Sequence, residues 1–487
     1  MSDTVYVEKV DNVYVKIHAE PSIKMEMNDY FSFFAKNYQF MPAYKNKFWD
    51  GKIRLLNTMT GLIYGGLLTY IAQFCKSRNY RIKIDPELME VEDIPENYGI
   101  ELAKEFGATL TPHDYQNRAV VEALSQERKL FLSPTASGKS FIIYLIARYH
   151  AEKHNRKVLI IDPTISLVLQ LEGDFTEYNN GKKLDIHKIQ GGADKNVEAA
   201  YTISTWQSLQ RMPASFFSKF DVVIVDEAHL ASAKSITGIM EKCPHVRYRY
   251  GLTGTIDDSE THKLVLTGLF GNISKVITTK ELIDQNKLSS FKINGLILEY
   301  SNASRKLVSK MDYQAEIDWI VSHERRNKYI CNLADNLPGN TLILFQFVEK
   351  HGMVLEKMLK ESKKTVHFIH GKVDGEVRND VRKIVESSND NIILASYGTF
   401  STGVNIKRLD NLIMASPSKS KIRNLQSIGR VLRKGNGSDS ATLYDIADDL
   451  QWKKKQNYAV KHFLERIKIY SNEKFKYKIY NVELEKE

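Results

Sequence analysis

The chain has 487 residues, of which 43% are hydrophobic and 26% charged, and a formal net charge of +10. That length needs two to four domains, and that composition belongs to globular proteins rather than to disordered or fibrous ones. Three scattered cysteines exclude a disulfide framework and a zinc site, no apolar run is long enough to span a bilayer, and the polar N-terminus lacks a leader's apolar core, so a cytoplasmic protein with a polyanionic partner is expected.

Residues 1–95 form a small α+β region. Alternation at 5–7 and 13–17 predicts two strands with a turn at Asp11-Asn12. A helix is expected around 27–36, and a strand pair through 62–64 and Gly65-Gly66. Between them, residues 45–54 interleave basic residues with aromatics. Phe48 and Trp49 suit base stacking, with Lys52 on a phosphate, which makes this a candidate nucleic-acid-binding domain. The same rings also suit a core with a solvated flank. Acids and two prolines at 85–97 read as a linker, so the rest of the chain is expected to fold without this domain.

Residues 96–285 carry short apolar runs at 129–132, 157–161, 200–203 and 222–225, separated by helical patterns. Buried parallel strands look like this, and the intervening helices imply a doubly wound parallel sheet. After the first run come Ser133, Pro134, Thr135, Ala136, Ser137, Gly138, Lys139 and Ser140. A strand, a loop and a helix N-terminus make an anion cradle of backbone N–H groups. Lys139 is placed to reach the β- and γ-phosphates of ATP, and Ser140 to ligate magnesium. Ser133 stands where the full phosphate-loop pattern has glycine. A bare Gly-Lys-Ser also fits a helix start with an exposed lysine, and the strand–loop–helix context favours the nucleotide.

The run 222–225 ends in Asp226 and Glu227. Two acids at the end of a buried strand point to a cation. Asp226 would hold magnesium through water, and Glu227 would orient and deprotonate the attacking water. An N-cap aspartate with a surface glutamate is the plainer reading of the pair alone.

A second domain of the same α/β kind is expected at 286–450, from runs at 341–345, 365–369, 391–395, 412–415 and 442–444. Near its end, Gln426, Arg430 and Arg433 share a segment with Gly429 between them. Arginines at i and i+3 lie on one helix face and suit a transition state whose charge spreads over phosphate oxygens. Bringing them to the same phosphate splits the ATPase site between two domains, as a motor requires. Residues 451–487 form a basic extension, in which Phe475, Tyr477 and Ile479 alternate as packing residues.

These motifs come in a fixed order. Gln116 precedes the phosphate loop, and Asp-Pro-Thr at 162–164, Gln-Gly-Gly at 190–192 and Ser-Thr-Trp-Gln at 204–207 follow it. Leu-Thr-Gly-Thr at 252–255 comes after Asp-Glu-Ala-His at 226–229; Phe-Gln at 345–346 and Ser-Tyr-Gly-Thr-Phe-Ser-Thr-Gly at 396–403 precede 426–433. The set resembles the superfamily 2 helicases over about 105–450. Runs at 397–403, 419–422 and 429–434, together with Phe-Gly at 270–271 and Phe-Trp-Asp-Gly-Lys at 48–52, are similar to the UvsW-type helicases of T4-like bacteriophages. Ala228 and the loop around Ala136-Ser137 depart from that pattern without removing Lys139, Asp226 or Glu227.

The resemblance implies two tandem RecA-like domains. It implies that Gln116 reads adenine, that Gly403 belongs to the nucleotide site, and that Thr253 and Thr255 couple nucleotide state to motion. Thr164, Gly191, Gly192, Thr205, Phe345 and Thr399 would follow the nucleic-acid backbone. The activity implied is an ATP- and magnesium-dependent helicase or translocase on branched and single-stranded DNA, acting on forks, D-loops and Holliday junctions in recombination, repair and replication restart. RNA–DNA hybrids, strand annealing and a single-strand-binding protein are further implied partners and activities. A duplex translocase without strand separation and an ATP-gated annealing clamp are the alternatives.

Overall fold

The structure, a computed structural model, describes residues 3–35, 38–134, 136–189, 198–229, 233–254, 256, 260–285, 290–371, 373, 375–399, 408–417, 440–472 and 475–485. The chain divides into two compact units, Met1–Ser133 with Gly138–Ile277, and Thr278–Glu487 with Pro134–Ser137.

The first unit opens with β1 (Thr4–Lys9) and β2 (Tyr14–His18), an antiparallel pair joined at the expected turn. The helix expected at 27–36 starts earlier, at Pro21–Tyr30, because proline takes its first turn. The residues that follow are β3 (Ser32–Phe34), paired with β4 (Lys52–Arg54). β5 (Leu62–Tyr64) adds to β2, but Gly65–Leu67 is a 3-10 turn rather than a strand. The helix Leu68–Ser77 leads to β6 (Arg81–Ile84), parallel to β1, so the sheet runs β5-β2-β1-β6.

Seven parallel strands follow: β7 (Arg128–Leu132), β8 (Val158–Asp162), β9 (Ile186–Ile189), β10 (Tyr201–Thr205), β11 (Val222–Val225), β12 (Tyr248–Thr253) and β13 (Ile273–Lys275). Their order is β13-β7-β12-β11-β8-β10-β9. Every residue of β8, β10, β11 and β12 is buried, as expected of strands covered by helices on both faces.

The small sheet and this large one share one hydrophobic core. Val7, Ile63, Leu67 and Phe74 belong to the same cluster as Leu130, Leu266 and Phe270. The contact is close: a Cβ on Gly66 would lie 2.2 Å from the Thr267 carbonyl oxygen. Tyr14 and Tyr64 both donate to Glu241 Oε1 (2.9 and 2.7 Å), and the Asn12 N–H donates to the Pro244 carbonyl (3.1 Å).

The second unit is again a seven-stranded parallel sheet. Its strands are β14 (Ser290–Glu299), β15 (Thr341–Phe345), β16 (Thr365–Ile369), β17 (Asn391–Ser396), β18 (Asn411–Met414), β19 (Ser440–Asp449) and β20 (Tyr477–Glu483), in the order β16-β17-β15-β18-β19-β14-β20. The fold is therefore the expected one, two doubly wound α/β domains after a small α+β region. Buried ion pairs brace the second sheet, Arg326 with Asp448 and Arg466 with Asp445. Phe475 is buried, but Tyr477 and Ile479, expected to pack beside it, stay 36% and 46% exposed on the edge strand β20.

Candidate nucleotide and nucleic-acid sites

The strand order of the first unit sets a row of chemistry along its C-terminal edge, where open α/β sheets bind ligands. Ser133 follows β7, Thr253 ends β12, Asp226 follows β11, Asp162 ends β8 and Thr205 ends β10. The Ser133 N–H donates to the Thr253 carbonyl (2.8 Å), and the Asp226 N–H to that of Ile161 (2.9 Å).

The phosphate loop is a strained turn. Ala136 and Gly138 have φ of 68° and 78°, and a Cβ on Gly138 would meet Gln116 Nε2 at 2.3 Å. The left-handed conformation favours glycine at 138, and any larger residue there would also displace the Gln116 amide. Gln116 packs behind it: its Oε1 accepts from the His113 N–H (2.9 Å), and its Nε2 points to the Gly138 carbonyl (3.5 Å). Ser137 Oγ donates to the Pro134 carbonyl (2.6 Å). Ser140 Oγ shares a hydrogen bond with Tyr178 OH (2.9 Å).

Lys139 lies at the first turn of the helix Lys139–Arg148, and its Nζ sits 3.1 Å from Glu227 Oε1. The left-handed backbone at Glu227 (φ 47°) turns the chain sharply off β11. Asp226 accepts from the Glu227 N–H (2.8 Å). Burial, then Glu227, push the Asp226 carboxyl up, with Lys139 pulling it back. Burial, then Asp226, Glu227 and Asp174, push the Asp162 carboxyl well above the usual carboxylate range. His229, also from this segment, places Nδ1 2.6 Å from Thr253 Oγ1 and 3.3 Å from Glu227 Oε2.

ATP fits this arrangement, because the left-handed loop presents backbone to an anion beside a lysine. Magnesium fits too. The buried Asp162 Oδ2 has no hydrogen-bond partner among the described residues, and two neighbouring acids favour a cation. Among the described residues no three His, Cys, Asp or Glu side chains converge as a metal cage.

The backbone-contact candidates divide. Thr164 caps the helix Ile165–Tyr178, accepting from the Leu167 N–H, and Thr205 caps the next short helix, accepting from the Ser208 N–H (3.4 Å). Thr399 Oγ1 lies 2.8 Å from Ser396 Oγ. Phe345 is fully buried and stacks on Phe368, so its ring serves the core and any contact with a nucleic-acid backbone would come from its main chain.

On the N-terminal domain, Phe48 is 87% exposed. Trp49 is half-buried, donating from Nε1 to the Lys52 carbonyl (2.8 Å), and Lys52 lies over the Phe34 ring. Thr135, Gly191, Gly192, Thr255, Gly403, Gln426, Arg430 and Arg433 lie outside the described residues. Sequence reasoning left His229, Tyr178 and Asp162 without roles. His229 was legible as the last residue of Asp-Glu-Ala-His; the partners of the other two are set only by the fold. Among the described residues no helix is long and apolar enough to cross a membrane.

Family models match three stretches: DNA helicase UvsW, N-terminal, at 4–85; Type III restriction enzyme, res subunit, at 109–258; and Helicase conserved C-terminal domain at 325–435. The chain is 36% identical to the ATP-dependent DNA helicase uvsW of Enterobacteria phage T4, over 97% of this chain and 98% of that one. The crystal structure of T4 UvsW covers 100% of both chains at 35% identity with a TM-score of 0.53. A fragment of a putative HsdR subunit of a type I restriction enzyme from Vibrio vulnificus shares the fold (TM-score 0.57, 15% identity, 89% of this chain and 76% of that one).

Proposed function

The chain belongs to the UvsW family of superfamily 2 helicases and is an ATP-hydrolysing helicase, and on that premise we propose that it acts on branched DNA. Its substrates in this reading are forks, D-loops and Holliday junctions, in recombination, repair and replication restart in a host cell's cytoplasm. RNA–DNA hybrids and strand annealing extend the same activity, and a single-strand-binding protein is its expected partner.

One observation supports the chemistry above others: Lys139 and Glu227 face each other across the edge of a parallel sheet, 3.1 Å apart. In our reading Lys139 holds the β- and γ-phosphates, and the loop's N–H groups hold their oxygens. Glu227 orients the attacking water and takes its proton. Asp226 and Ser140 hold magnesium, which neutralises charge developing on the phosphates. His229 ties Glu227 to Thr253, so a change at the phosphates reaches β12 directly. We assign Gln426, Arg430 and Arg433 to the transferring phosphoryl group, Gln116 and Gly403 to the nucleotide, and Thr255 to coupling. Thr164, Gly191, Gly192, Thr205 and Thr399 take the DNA backbone through hydroxyls and N–H groups, which position without reading sequence.

The exposed Phe48 ring, in the same basic-aromatic segment as Trp49 and Lys52, supports a second DNA contact on the N-terminal domain. The test is strand displacement on forks, Holliday junctions and linear duplexes, run beside triplex displacement. Preferential unwinding of the branched substrates supports the proposal. Triplex displacement without unwinding means a duplex translocase; neither activity, with ATP-dependent annealing, means a clamp.

A further inference from the structure

Asp162 is the last residue of β8 and has no task in the reaction above. The pairing fixes its neighbours. On one side its partner is Thr205 of β10; on the other, Ile161 pairs with Val225, which places Asp162 level with Asp226. Residues at one register of parallel strands leave the sheet on the same face, so the two carboxylates are side by side at the ligand-binding edge. Asp162 is 1% exposed, and its Oδ2 has no hydrogen-bond partner among the described residues. Its charged neighbours are Asp226, Glu227 and Asp174, all acids.

A buried carboxylate is kept when it is paired, hydrogen-bonded or turned to a metal. The described protein groups supply Asp162 Oδ2 with no donor, and the charges around it repel. Magnesium keeps several of its waters, and those waters are donors. We propose that Asp162 is an outer carboxylate of the nucleotide's magnesium, accepting hydrogen bonds from metal-bound water beside Asp226. The inference rests on the nucleotide-site reading given above. Asp162 is a positioning residue in this role, since it reaches the metal through water.

The test is thermal melting of the full chain with the non-hydrolysable analogue AMP-PNP over a magnesium chloride titration. Asp162→Asn keeps the size and removes the charge. The magnesium concentration giving half of the analogue-dependent rise in Tm should increase by about tenfold or more, the usual loss when an outer partner of a metal site is removed. The Tm without metal or nucleotide should stay level or rise, because a neutral amide replaces an acid that only other acids surround. A lower metal-free Tm with an unchanged magnesium midpoint would make Asp162 structural and overturn the proposal. Asp226→Asn and Lys139→Ala separate this from the parent reading. If both leave the response intact, the nucleotide site is misplaced; if both abolish it while Asp162→Asn matches wild type, the Asp162 role alone fails. Should the Asn variant not fold, Asp162→Ser must show the same shift in midpoint.

Discussion

Nζ of Lys139 pairs with Oε1 of Glu227 at 3.1 Å, with side chains only 10% and 16% exposed. The pair joins the phosphate loop to the end of β11, so the cation proposed for the phosphates and the base proposed for the water occupy one place. In the proposed reaction each acts on its own partner, so the pair would part when a triphosphate is held.

Lys139→Ala should therefore lower ATP turnover by about a hundredfold or more, the scale of losing one group that stabilises transition-state charge. DNA binding without nucleotide should change little. Phosphate release and filter binding on the same preparation check both. Turnover within tenfold of wild type would remove the phosphate-loop assignment.

His229→Ala should separate hydrolysis from DNA. His229 is the described link between Glu227 and Thr253, with Nδ1 2.6 Å from the Thr253 hydroxyl. Stimulation of ATPase by single-stranded DNA should fall by about tenfold, within the usual range of coupling energies, and more than basal ATPase falls. Equal loss of both would make His229 a catalytic-site brace only.

The N-terminal domain should be a structural part of the ATPase unit. An added Cβ on Gly66 would collide with the Thr267 and Gly268 carbonyl oxygens (2.2 and 2.6 Å), which can yield only by backbone shift. Gly66→Ala should destabilise by about 1–3 kcal/mol, the cost of overpacking, as measured by urea unfolding. Removal of residues 1–85 should expose the cluster shared with Leu130, Leu266 and Phe270 and lower Tm or solubility. The sequence suggests a free-standing module here, because the acidic linker is visible while the shared core is not.

Acid should weaken the second unit through His351. Burial, with Arg326 nearby, pushes its pKa down to about 3 from the ordinary 6.5, and Nδ1 lies 2.9 Å from Ser416 Oγ. Between those values the unfolded chain binds the extra proton. Stability from the neutral ring is full above the unfolded pKa and is lost as pH falls toward 3. Near pH 5 the loss is about 2 kcal/mol. His351→Gln should flatten the fall in unfolding free energy between pH 7.5 and 5; an unchanged slope would place the effect elsewhere.

The parts of the molecule legible in sequence are those where one strand carries its own signal. β8 and β11 read as strands because both faces are apolar, and Lys139, Asp226 and Glu227 stand at their expected strand and helix ends. β12 went unread because Arg249 interrupts it. In the fold that arginine is fully buried, and its guanidinium donates to the carbonyls of Val246, Met240 and Cys243, partners no local pattern reveals. Asp162 and Tyr178 escaped for the same reason: their partners come from neighbouring elements of the fold. At Phe345 the core takes the side chain of a motif position, which the apolar run 341–345 alone does not reveal.

The central claim is that the site joining Lys139, Asp226 and Glu227 drives separation of DNA strands. Single-turnover strand displacement on a forked duplex, comparing wild type with Glu227→Gln in ATP and magnesium, tests it most directly. Wild type should release the displaced strand while Glu227→Gln binds ATP and fork but releases none. Equal release by both proteins, or DNA-stimulated hydrolysis by wild type without any release, would contradict it.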